Sequence, residues 1–181
     1  HDVTAYFQRV AKDRLPTVMV MEADRMANLR LSEEDVTTER NVILEERRSR
    51  VDNDPSSILQ EQMMAALYAN HPYGIPIIGW SHEIAALDRE DALGFYKRFY
   101  APNNALLVIA GDVGPDEVRK LAEETFGKLP PHRSLNDRSR PQEPEHYAPV
   151  KVELEDARAG RMTVQRYYLT PSYATAAPGE A

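Results

Sequence analysis

Apolar positions recur along the chain with two periods, and each period predicts an element. Val3, Ala5 and Phe7 alternate with Thr4, Tyr6 and Gln8, which predicts a strand over residues 1–10 with one buried face. Pro16 suits a first helical turn, and Val18, Met19, Met21, Met26 and Leu29 then predict a helix to about Leu29, its methionines serving as core filler. Ser32-Glu33-Glu34-Asp35 resembles a capping box and opens a second helix, which carries Val36, Val42, Ile43 and Leu44 and stops at Asn53-Asp54-Pro55. Asp54 caps and Pro55 begins a third helix, striped by Leu59, Met63, Ala66 and Leu67 and broken at Asn70-His71-Pro72-Tyr73-Gly74. Residues 75–87 read as an irregular connection. Asp88 caps a helix bearing Leu93, Phe95, Tyr96, Phe99 and Tyr100. The continuous apolar run 105–110 predicts a strand covered on both faces, and Pro115 opens a helix that ends by Gly127. Val150, Val152 and Leu154, then Met162, Val164 and Tyr168, predict two closing strands.

These elements add up to an α+β fold, a mixed or antiparallel sheet with helices packed on one face. Residues 1–129 form its core. Residues 130–149, polar and carrying five prolines, form a surface excursion. Residues 150–181 supply closing strands and a frayed, small-residue tail.

Composition narrows the function classes. A net charge of -7 argues against a nucleic-acid partner held by phosphate contacts. No stretch approaches the roughly 20 apolar residues of a membrane span. The chain has no cysteine, which removes disulfides and thiolate metal sites.

Candidate chemistry concentrates on the second helix, in Glu39-Arg40-Asn41-Val42-Ile43-Leu44-Glu45-Glu46. Glu39 and Glu46 lie seven residues apart, close to two helical turns, so both project from one face. Glu45 is rotated about 100° away. Stacked carboxylates can serve a metal, one as ligand and the other as a group behind it. On spacing alone the commoner arrangement is a solvated acidic stripe, neutralised by Arg47, Arg48 and Arg50. The histidines at 71, 82, 132 and 146 share no helical face, and neither a Gly-rich phosphate loop nor a complete catalytic motif is present.

The Glu39–Glu46 segment followed by Asp52-Asn53-Asp54-Pro55 resembles the third-ligand helix of pitrilysin/insulinase-type zinc peptidases. His71-Pro72-Tyr73-Gly74-Ile75-Pro76-Ile77-Ile78-Gly79 is similar to the same family, as are Phe95–Asn104 and Val108–Val113. The likeness runs in order from about Asp2 to about Leu129 and looks most like the short bacterial branch. It implies a metallopeptidase half-domain, the N-terminal half of a longer enzyme and truncated at its own N-terminus. It also implies an inverted His-x-x-Glu-His motif, whose two histidines bind Zn²⁺ and whose glutamate is the general base, lying before residue 1. Glu46 would then be the third zinc ligand and Glu39 a supporting carboxylate.

The implied activity is zinc-dependent endopeptidase action on peptides or unfolded polypeptide in the full-length protein, paired with a homologous C-terminal half or partner subunit. The chain alone would be inactive and would lack zinc. The alternative is a non-catalytic peptide-binding or stabilising subunit of the same fold; Glu39 and Glu46, which inactive partners usually lack, favour the enzyme. A plain α+β scaffold with an acidic helix is the third reading. A bacterial protein of this type would be periplasmic or cytoplasmic.

Overall fold

The computed structural model describes residues 2–132, 141–172 and 176. Its α-helices run α1 Leu15–Asn28, α2 Glu33–Arg47, α3 Pro55–Leu67, α4 Ser81–Ala86, α5 Arg89–Phe99 and α6 Pro115–Glu124. The capping signals lie where the chain turns into helix. Asp35 donates its backbone N–H to Ser32 Oγ at 3.1 Å while its carboxylate accepts the Ser32 N–H at 2.8 Å. Asp54 accepts from the N–H groups of Ser56 and Ser57, and Asp88 exchanges the same reciprocal pair with Asp91. Past Arg47, α2 widens into a π-helical turn, Arg48–Asp52, closed by Asn53 N–H on the Arg48 carbonyl at 3.0 Å.

Two compact units share the chain: the described residues of 42–85 and 139–181 form the first, those of 2–41 and 86–138 the second. In the second unit α1 buries Met19 and Ala23. The Tyr96 hydroxyl of α5 donates to the carbonyls of Arg25 and Met26 and accepts from Leu29 N–H, satisfying backbone groups at the end of α1. The Arg25 guanidinium stacks 3.6 Å above the Tyr6 ring, whose hydroxyl meets that of Tyr100 at 2.6 Å. Burial, reinforced by Tyr6, pushes the Tyr100 phenol up to about 12. In the first unit α3 packs on the π turn and on a 3-10 turn at Pro72–Gly74, while Pro55, Gly74 and Ile84 are buried. Arg158 donates to the Asp52 carbonyl and Tyr167 to Gln60, which ties the extended segment 150–172 to this unit.

The expected sheet is not there. Among the described residues no strand forms, so the α+β fold with a mixed or antiparallel sheet is corrected to helices joined by extended, unladdered segments. The reason is physical. Alternation specifies a face, but a strand exists only through a ladder with a neighbour, and none of these segments finds one here. Their apolar side chains stand in solvent instead: Phe7 and Leu106 are each 89% exposed and Met162 is 93% exposed. The run 105–110, read as covered on both faces, is open at Leu106 and Val108. Residues 75–87 are also more ordered than expected, since α4 forms there around Ile84. Most of the expected frayed tail, with His1 and residues 133–140 of the excursion, lies outside the described residues.

Candidate functional site

Helix α2 carries both carboxylates singled out in the sequence. Glu39 is exposed. Glu46, seven residues on, is 39% exposed and pairs with Arg50 at 2.8 Å. It lines a cavity of about 630 Å³ in the first unit, together with residues of α3 and the segment Tyr73–Ile78. Glu45 is exposed and bonds Arg48, one turn on.

Arg47 departs from the expectation that it neutralises the acidic stripe. Its side chain is 6% exposed, and its Nη1 and Nη2 donate to the two carboxylate oxygens of Glu61 on α3 at 2.7 and 2.8 Å. Nη1 also donates to the Gly79 carbonyl at 2.8 Å. Nε makes no hydrogen bond, the Asp52 carboxylate lying 3.5 Å away. The Glu61 hydrogen bonds raise the Arg47 pKa against the opposing effect of burial. Gly79 closes a turn by donating its N–H to Pro76 O at 2.9 Å. Its φ of +91° favours glycine, and an added Cβ would lie 3.3 Å from Ile84. Only the folding-back of α3 at Pro55 brings Glu61 to Arg47, so no local spacing announces the pair. Glu61 is the one charged residue of α3, and that was the sole available signal.

His71 and His146 take structural roles. Tyr73 N–H donates to His71 Nδ1 at 3.2 Å, which occupies that nitrogen's lone pair. Glu143 accepts the backbone N–H groups of Ala69, Asn70 and His71 at 2.5, 3.0 and 2.8 Å and lies 3.2 Å from His146. Burial opposes ionisation of Glu143, but the amides of Asn70, His71 and Ala69, with His146, outweigh it and bring the carboxyl down to about 2. A pKa lowered in the folded state stabilises above the unfolded value and loses that contribution as pH falls towards the folded one. The clamp should therefore hold in full above roughly pH 5 and release between about pH 4 and 2. Amide exchange at Ala69–His71 should accelerate across that window beyond the intrinsic rate, and Glu143→Ala should show the faster exchange already at neutral pH. Protection unchanged by Glu143→Ala would contradict the clamp.

Among the described residues no group of three or more His, Asp or Glu is placed to hold a metal ion. Glu46 offers a carboxylate at a cavity wall, and its exposed ion pair with Arg50 is a weak competitor, since such pairs contribute about 0–1 kcal/mol. A tetrahedral site needs further ligands, and these residues do not provide them.

Known proteins resolve the class. Residues 1–80 match the sequence profile described as "Insulinase (Peptidase family M16)", and residues 86–177 the one described as "Peptidase M16 inactive domain". The chain is 36% identical over 124 residues to an uncharacterized zinc protease of Mycobacterium leprae, covering 68% of this chain and 28% of that protein. It is 31% identical over 140 residues to the zinc protease PqqE of Helicobacter pylori, covering 77% and 31% respectively. In structure it is similar to a protease from Helicobacter pylori, with a TM-score of 0.63 and 30% identity over 74% of this chain and 32% of that one. The periplasmic protease PqqL from Escherichia coli gives a TM-score of 0.64 at 26% identity, covering 74% of this chain and 15% of that one. Both curated relatives are named zinc proteases. The chain belongs to the insulinase family, peptidase family M16. It spans about three-tenths of the length of the curated relatives it matches.

Proposed function

We propose that this chain is part of a zinc-dependent endopeptidase acting on peptides or unfolded polypeptide, to whose metal site it contributes Glu46. The observation that carries the reading is the placement of Glu46 on a cavity wall at the end of a helix whose sequence resembles the family's third-ligand segment. When bound, zinc supplies a water whose pKa is lowered to about 7 and polarises the scissile carbonyl. The contribution of this chain is narrower. Glu46 gives one anionic oxygen donor, and Glu39, two turns earlier on α2, acts behind the ligands on the field of the site. The two histidine ligands and the general base belong to a His-x-x-Glu-His segment outside this chain, and a homologous half or partner subunit closes around the substrate.

The alternative, a peptide-binding subunit without catalysis, is tested together with this one. The full-length protein should cleave an unfolded peptide, lose that activity to a zinc chelator and regain it with added zinc. Tight peptide binding with no hydrolysis at any zinc concentration would favour the non-catalytic subunit.

A further inference from the structure

We propose that the Arg47–Glu61 pair is a positioning device, which fixes the roll of the last turn of α2 and so the direction in which Glu46 faces. It rests on the reading of Glu46 as a zinc ligand. Arg47 is the only buried residue among those of α2, with Ile43 and Leu44 half-buried one turn before it. Its guanidinium is therefore the deepest contact at this end of the helix. Two parallel N–H···O bonds to Glu61, at 2.7 and 2.8 Å, define a plane, and the third bond to Gly79 O holds it from a separate segment. Neighbouring residues on a helix point about 100° apart, so anchoring Arg47 orients Glu46 beside it. Beyond Arg47 the ladder changes to a π turn, a rare conformation that alters side-chain register. Glu46 and Glu61 line the same cavity, so the anchor acts at the site itself.

The test uses the full-length protein, with zinc affinity read by competition against a chelator and folding by circular dichroism. Arg47→Lys keeps a charge opposite Glu61 and loses the two-pronged geometry. The double variant Arg47→Met with Glu61→Leu removes both charges, so neither is left buried alone. Both should fold and bind zinc about 10-fold or more weakly, within the roughly 10–100-fold that groups behind a ligand typically command. A purely structural role would leave zinc affinity of the folded protein unchanged. Should the double variant not fold, Arg47→Lys decides. Glu46→Gln is the reference. If it loses zinc while the folded pair variants bind at wild-type strength, the positioning role is overturned and the ligand stands. If Glu46→Gln itself keeps zinc, the ligand reading fails and the proposal falls with it.

Discussion

Glu46→Gln in the full-length protein is expected to lose its zinc on dialysis and to lower peptide cleavage by more than about 100-fold, beyond what groups behind a ligand typically cost. The substitution keeps the side chain's size and replaces an anionic donor with a weaker neutral one. Glu39→Gln, on the same helix two turns earlier, should keep zinc and lose about 10–100-fold in activity. Glu45→Gln is the control. That carboxylate points about 100° from Glu46 and bonds Arg48 in solvent, so neither zinc nor turnover should change. Zinc lost from Glu45→Gln and kept in Glu46→Gln would mean that the register of α2 is misassigned.

Arg47→Ala should lower the unfolding free energy by about 3–5 kcal/mol, because it leaves the Glu61 carboxylate buried without its counter-charge. That is a large share of the 5–15 kcal/mol that typically holds a domain together. The double variant Arg47→Met with Glu61→Leu should come close to wild type, since replacing both partners with apolar groups removes the desolvation cost along with the attraction. Urea unfolding followed by circular dichroism separates the two. A cost below about 1 kcal/mol for Arg47→Ala would show the pair to be solvated, as exposed ion pairs are.

The features legible in the sequence are those whose cause is local. Ser32 with Asp35, Asp54 with Ser57, and Asp88 with Asp91 complete their hydrogen bonds within three residues, so the starts of α2, α3 and α5 could be read directly. α4 escaped because its six residues offer little more than one buried apolar position, Ile84, too short a span for a period to show. The strands failed for the opposite reason. Val3, Ala5 and Phe7 have the right alternation, but pairing is a property of two segments and cannot be seen in one. The site divides in the same way. The helical face of Glu46 follows from counting residues, whereas the burial of Arg47 against Glu61, fourteen residues away, depends on how α3 folds back. The clamp of Glu143 on three amides more than seventy residues distant was equally invisible.

The central claim is that this chain brings a single ligand to a zinc site completed by other residues. Its most direct test is the zinc content of the 181-residue chain itself, measured by atomic absorption after exhaustive dialysis. A lone carboxylate cannot supply tetrahedral coordination, so far less than one equivalent should remain, and Glu46→Gln should not change it. One zinc retained per chain, lost on Glu46→Gln, would contradict the claim and show that residues within this chain complete the site.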